Sequence, residues 1–373
     1  MPPLVPTSDF LHLDRVTHLA GGGQTPMLKT SLEALARFAW AKGTGLDGQQ
    51  VNTAVRSSVA AKVASLLGAD PADIGFPSSV AHGVHLLVDS IDWHEGDNVV
   101  MEAWEFPSLM FPFLALRARG VEVRLIAPVG WQAPEEDWRA AVDANTRVVA
   151  ISQVSYLTGE HHDLAFQAEL ARRVGALFVV DASHALGSVA VEASVADFLF
   201  ACCYKFVLGV QGAAVAYWNR SRLPDWQPGA MGWHSVVWRA PLERGQGVRA
   251  LPDGMAFEPG NPAYGALYVL DQSLDTILGL GIGRIQTHTR TLSGELRERL
   301  AAAGLPVMTP VAPGSRAGSV AFESARAPQI RERLEAQHVL VSGDEGRVRA
   351  SVHVYSDAGD VERGAAAIVD AAR

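Results

Sequence analysis

Between Ile74 and Lys205 the chain alternates short apolar runs with amphipathic stretches, and this alternation constrains the fold more than any other feature. Ile74-Gly75-Phe76, Asn98-Val99-Val100-Met101, Val121–Ile126, Thr146–Ile151, Ala176–Asp181 and Asp197–Ala201 read as strands. Residues 80–88, 106–117, 134–143 and 163–174 read as the helices between them. Near-continuous apolar runs suit strands buried on both faces, and a helix between successive strands makes them parallel. Residues 28–41 and 52–67 carry helical periodicity ahead of this region. After about Pro262 the texture changes to two long helical stretches, 263–281 and 283–303. Short strands near 317–322 and 347–352 follow, then a terminal helix over 357–373. The expected organisation is an N-terminal arm over 1–25, a large domain over 26–262 and a small C-terminal domain over 263–373. Gly279-Leu280-Gly281-Ile282-Gly283 follows a helical pattern rather than a strand. It therefore reads as a break between two helices and not as a dinucleotide loop.

With 373 residues, 48% of them hydrophobic and 19% charged, the chain can bury a large core and stay soluble. A formal net charge of -9 without a Lys/Arg cluster argues against nucleic-acid or anionic-membrane partners. Met1–Pro6 lacks the basic and apolar regions of a signal peptide, and no apolar stretch reaches the length of a membrane span. The expected location is the cytoplasm. The two cysteines, Cys202 and Cys203, are adjacent. That excludes a disulfide framework and a structural zinc site, and no metal centre is expected.

Asp181 ends one apolar run, and Lys205 lies just past the next, twenty-four residues on. Singly they would be a helix cap and a surface lysine. Together, beyond the ends of two buried strands, they are what pyridoxal 5'-phosphate (PLP) requires. The lysine amine forms a Schiff base with the aldehyde. The carboxylate keeps the pyridine nitrogen protonated, so that the ring can accept electrons from a carbanion.

The segment Asp181-Ala182-Ser183-His184-Ala185-Leu186-Gly187, followed by Cys202-Cys203-Tyr204-Lys205, resembles the aminotransferase class V group of fold-type I PLP-dependent enzymes. That group includes cysteine desulfurases, kynureninases and isopenicillin epimerase-like enzymes. The resemblance spans nearly the whole chain. It implies an α/β fold, with a mostly parallel sheet in the large domain and a smaller C-terminal α+β domain. It also implies a homodimer with shared active sites, acting on a small amino acid.

The resemblance carries roles to individual residues. Lys205, Asp181 and His184 are the expected catalytic groups. In Phe76-Pro77-Ser78-Ser79-Val80-Ala81-His82-Gly83, the Ser79 hydroxyl and the amides of Val80 and Ala81 would hold the phosphate at a helix N-terminus. Tyr204 would donate to the same group. In Glu105-Phe106-Pro107-Ser108, Phe106 would stack on the ring. In Gln153-Val154-Ser155-Tyr156-Leu157-Thr158-Gly159, Ser155 would approach the cofactor's phenolate oxygen and Tyr156 the substrate. His184 would donate to the phenolate. Asn261, in Phe257–Pro262, would reach the phosphate of the neighbouring subunit. Trp233, in Gly232-Trp233-His234-Ser235, would contact substrate. Arg349, in Val348–Asp357, would fork onto the α-carboxylate, a task for a planar guanidinium.

Lys205, once displaced by the substrate amine, becomes the base or acid at Cα. Desulfurase chemistry of the familiar kind uses a mobile cysteine in the small domain, and no cysteine follows Cys203. The expectation is therefore an enzyme that is not a persulfide-forming cysteine desulfurase. Phe106, Ser155-Tyr156, Tyr204 and Gly232-Trp233 lean toward a kynureninase-like or carbon–carbon/carbon–sulfur cleaving lyase. A class V aminotransferase, an amino-acid epimerase and a non-enzymatic PLP-binding ligand sensor are the alternatives.

Overall fold

The computed structural model describes residues 1–373. Strand β1 (Thr17–His18) lies in the N-terminal arm, and helices α1 (Thr30–Gly43) and α2 (Gly45–Leu67) follow. The alternating region comprises β2 (Ile74–Gly75), α3 (Val80–Val88), β3 (Asn98–Glu102), α4 (Pro107–Leu114), β4 (Glu122–Ile126) and α5 (Glu135–Ala141). It continues through β5 (Thr146–Ser152), α6 (Ala165–Val174), β6 (Leu177–Asp181), β7 (Phe198–Cys202) and β8 (Ala214–Trp218). The C-terminal part holds α7 (Tyr264–Leu280), α8 (Ile282–Ala302), β9 (Ser319–Glu323) and α9 (Ala327–Glu335). It ends with β10 (Val339–Leu340), β11 (Ser342–Asp344), β12 (Arg347–Ser351) and α10 (Ala358–Ala372).

Seven strands form one sheet in the order β2-β8-β7-β6-β5-β3-β4. The five from β7 to β4 run parallel, while β8 is antiparallel to both its neighbours. The fold is thus the expected α/β type with a mostly parallel central sheet. Strand β8 went unread in the sequence. Its connection from β7, residues 203–213, is too short for a crossover helix, so the strand turns back antiparallel.

Successive residues of the central strands feed opposite faces. Val149, Ile151, Phe178 and Val180 join Val59, Val63, Leu67 and Leu170 in one core. Val148, Ala150 and Val179 join Val84, Leu87, Leu109 and Phe113 in the other. Both faces are covered, which is why these strands read as unbroken apolar runs. Each buried Val, Leu or Phe contributes roughly 1.5–3 kcal/mol of transfer free energy.

A second sheet, β11-β12-β9, is antiparallel. Its core gathers Val320, Phe322, Val348 and Ala350 with Leu292, Leu296 and Leu300 of α8, Ile330 and Leu334 of α9, and Ile368 of α10. Leu19 of the arm packs there too. Helix α7 instead buries Leu267, Leu270 and Leu274 in the core of the large sheet, so the packing changes partner at the glycine break around Gly281. Helix α9 was missed in the sequence because it is short and buries only Ala327, Ile330 and Leu334.

Candidate active site

The chain leaves β3 for β4 on one side, then crosses back to β5 on the other. Loops part at such a switch point, and ligands of open α/β sheets bind there, beyond the carboxyl ends of the strands. A cavity of about 210 Å³ lies among these loops. Its walls include Ser78, Ser79, Val80, Phe106, Ser152, Tyr156, Asp181, His184, Tyr204 and Lys205.

Helix α3 begins at the cavity. Ser79 caps it, its Oγ accepting the His82 N–H at 3.1 Å. The amides of Val80 and Ala81 have no helical acceptor, as at any helix start, and they make a natural anion seat. A Cβ at Gly83 would come within 2.7 Å of the Phe200 ring. Only glycine lets α3 press this closely on β7. The Ala81 methyl does not line the cavity.

Asp181 closes β6 and is buried, with Oδ1 accepting the Ser183 N–H at 2.7 Å. Burial pushes its pKa up, against the pull of Ser183 and Lys205. A cation beside it would reverse that push, and a protonated pyridine nitrogen is such a cation. Lys205 is buried and is the only amine among the lining residues. Its Nζ lies 3.1 Å from His184 Nε2, 5.2 Å from the Phe106 ring centre and 5.8 Å from that of Tyr204. The Thr25 hydroxyl donates to the Lys205 carbonyl at 2.8 Å, which ties the arm to this loop.

Burial, reinforced by Lys205 and two arginines, drives the His184 pKa well below its ordinary value. The ring is therefore neutral. With Nε2 facing the lysine donor, its proton sits on Nδ1, which is buried without a partner. Among the residues that line the cavity, His184 alone leaves a buried side-chain polar atom unpaired, and such a donor leaves room for an acceptor. The anion seat, the buried carboxylate, the single amine and this free donor together fit PLP, whose phosphate, ring nitrogen, aldehyde and phenolate they match.

Phe106 precedes Pro107 at the start of α4, and its ring meets Tyr156 edge-on at 5.0 Å. The Tyr156 hydroxyl donates to Glu345 at 3.1 Å, and burial raises its pKa to about 12. Arg349 is buried on β12. Its guanidinium donates to the Tyr156 carbonyl and, at 3.3 Å, to Ser342 Oγ, while its Nε has no partner. Burial and Arg347 press its pKa down to about 9, so it stays charged at neutral pH. Gly22 of the arm passes over it; a Cβ there would stand 3.0 Å from Nε.

Four more expected residues, Arg349 among them, do not line the cavity. Ser155 is buried in a turn, its Oγ accepting the amides of Leu157 and Thr158 at 3.3 and 3.2 Å, and it does not line the cavity. Asn261 and Trp233 stand at a second, more open cavity of about 830 Å³ that shares Gln211 with the first. Neither reaches the Lys205 cavity of its own chain. Conversely, Ser152, Ser183, Glu105 and Arg347 were given no role in the sequence. They flank residues that were, and only the strand order shows which way their side chains turn.

A parallel-centred α/β sheet with an amine and a carboxylate beyond adjacent strand ends defines a PLP-dependent enzyme of fold-type I. The chain belongs to the aminotransferase class-V family, which matches residues 41–363. Among its relatives is a probable cysteine desulfurase of Methanothermobacter thermautotrophicus, 30% identical over 63% of this chain and 58% of that protein. The chain thus spans less than two thirds of that relative's length. A kynureninase of Deinococcus radiodurans is 28% identical over 75% of this chain and 69% of its own. Among solved structures, C-DES with glycine covalently linked to the PLP cofactor superposes with a TM-score of 0.88 at 22% identity, covering 98% of this chain and 99% of that one. The same protein, described as a cystine C–S lyase in complex with its reaction product cysteine persulfide, gives 0.86 at 22% identity, covering 96% and 98%. No helix is long and apolar enough to cross a membrane.

These relatives overturn the exclusion of persulfide-forming desulfuration. A chain without a cysteine after Cys203 lacks one route, transfer of sulfur to a side-chain thiol of the small domain. That absence does not exclude the chemistry, because a persulfide can also leave on a free cysteine.

Proposed function

We propose that this chain is a lyase that breaks the Cβ–S bond of a small sulfur-bearing amino acid and releases the sulfur on a small molecule. The observation that carries this is the Lys205–His184 pair, an amine and a neutral imidazole 3.1 Å apart in the cavity wall. PLP, when bound, supplies the sink for the electron pair left at Cα. Lys205 Nζ takes the Cα proton. The pair then forms the Cα–Cβ double bond, and sulfur departs with the electrons of the Cβ–S bond. Substrate and water together would give pyruvate, ammonia and the departing sulfur compound. Cystine would yield cysteine persulfide by this route, and cysteine would yield sulfide. Cys202 does line the cavity, but burial raises its pKa and leaves it a neutral thiol, a poor acceptor for sulfur. The neighbour named a cystine C–S lyase supports the same reading.

A kynureninase-like cleavage is the second reading, favoured by Phe106 beside the amine and by the kynureninase relative. Product analysis separates the two. Incubation with cystine is expected to give pyruvate, ammonia and persulfide. Alanine from kynurenine, with cystine untouched, would replace the first reading by the second. A keto acid formed only when an amino acceptor is added would replace both by transamination.

Arg349, beside Tyr156 of the cavity wall, holds the substrate carboxylate in this reading. Arg349→Ala is expected to raise KM roughly ten- to hundredfold, the scale of one lost hydrogen bond between charged groups. The cofactor's absorbance should not change. Arg349→Lys should recover part of the loss, since an ammonium cannot reproduce the planar fork. Normal kinetics in both variants would place the carboxylate elsewhere.

The reading includes a dimer in which Asn261 serves the phosphate of the second copy. A fully active monomer by light scattering at assay concentration would remove that element.

A further inference from the structure

Behind the cavity wall lies a buried carboxyl that the mechanism above does not use. Glu105 follows β3, and Ser152 ends β5, the strand across the switch point. Glu105 Oε1 accepts the Ser152 N–H at 2.7 Å, and its Oε2 lies 2.5 Å from Ser152 Oγ. Glu105 is 4% exposed and Ser152 5% exposed. Ser152 lines the cavity and pairs with Asp181 across β5 and β6.

Two of the other acids here share a cation. Glu102, at the end of β3, and Glu160, after β5, flank His162 Nε2 at 3.4 and 3.6 Å. Despite burial, these two carboxylates raise the His162 pKa to about 10 and keep it an imidazolium. His162 spends its other nitrogen on the Ser152 carbonyl at 2.8 Å. Asp181, on β6, faces the cavity with Lys205. Glu105 makes no ion pair with any of these cations: its two contacts are both with Ser152. A buried carboxyl without a counter-ion, close to Glu102 and Asp181, is held in its neutral form. Burial first, then Glu102, raises its pKa to about 8.

The proton on Glu105 has a direct consequence for Ser152. When Glu105 is neutral, its O–H donates to Ser152 Oγ, and the serine hydroxyl is free to donate into the cavity. When Glu105 is ionised, the serine must donate to Oε2, and only an oxygen lone pair remains for the cavity. We propose that Glu105 is a positioning acid whose proton decides whether Ser152 offers the cofactor a hydrogen-bond donor or an acceptor. This rests on the cofactor's binding in the cavity and not on the reaction proposed above.

The test is a pH titration of the holoenzyme's visible absorbance, without substrate, from pH 6 to 9.5. The wild type is expected to change its band with a midpoint near pH 8. In Glu105→Gln the amide accepts from the Ser152 N–H and donates to Oγ, as the neutral acid does, at every pH. This variant should hold the low-pH band throughout. Ser152→Ala should also lose the midpoint in the visible band. Its pH-difference infrared spectrum should nevertheless still show a carboxylic-acid C=O band disappearing, because Glu105 itself remains. If Glu105→Gln folds poorly, the Ser152→Ala pair of spectra decides alone. A midpoint that survives in Glu105→Gln, or in the visible band of Ser152→Ala, assigns the transition to another group and overturns the proposal. A wild-type band that is flat over the range overturns it as well.

Discussion

Lys205→Ala is expected to reduce turnover about 10³-fold or more, the scale of losing a positioned acid–base group, with loss of covalent anchoring in addition. The structure concentrates both tasks on one atom. Nζ is the only amine among the cavity's lining residues, and His184 sits 3.1 Å from it. The main chain at Lys205 is held by Thr25, so the side chain has little freedom to search. No other residue of the cavity wall can supply an amine. Borohydride reduction followed by mass spectrometry reads the anchoring directly. The wild type should carry the cofactor on the peptide containing Lys205, and the variant should carry none. A reducible link at the usual stoichiometry in Lys205→Ala would remove this residue from its role.

Asp181→Asn should keep the cofactor and lose turnover by about 10²–10³-fold, close to 3–4 kcal/mol in the barrier. The carbonyl oxygen of Asn can still accept the Ser183 N–H that now binds Oδ1 at 2.7 Å, so local packing survives. What disappears is the negative charge. Burial already works against that charge, so Asp181 is poised to gain from a cation placed beside it. Without the carboxylate a pyridine nitrogen loses its reason to stay protonated, and Cα deprotonation loses its electron sink. Unchanged kcat, with cofactor binding verified by absorbance, would refute the role.

Several elements of the candidate site were legible in the sequence. Asp181 and Lys205 follow apolar runs that can only be buried strands, and the ends of parallel strands converge on one edge. Ser79 precedes a helix that follows β2, so its capping role and its place beside the cavity come together. Phe106 and Tyr204 are adjacent in the chain to an end of α4 and to Lys205, respectively. Ser155 went the other way: its motif ends β5, yet its hydroxyl turns back to cap the loop through Leu157 and Thr158. Chain position located the loop but not the rotamer. The cysteine argument failed for a different reason. An absent thiol excludes one acceptor of sulfur, and the residues that remain do not say what else the sulfur can leave with.

The amino-acid sequence by itself determined the class of fold and singled out Lys205 and Asp181 as the candidate amine and carboxylate. Apolar periodicity reports burial directly, and strand ends are local in the chain. Tertiary structure alone decided that Glu105 meets Ser152, that Arg349 lies under the arm at Gly22, and that His184 is neutral with a free Nδ1 donor. Each of these depends on which strands become neighbours and on how far water is excluded. Glu105 and Ser152 are far apart in the chain, and they meet only because β5 returns to the opposite side of β3 from β4. Periodicity does not encode that order. It is set by long-range packing, and so are the charges that burial permits.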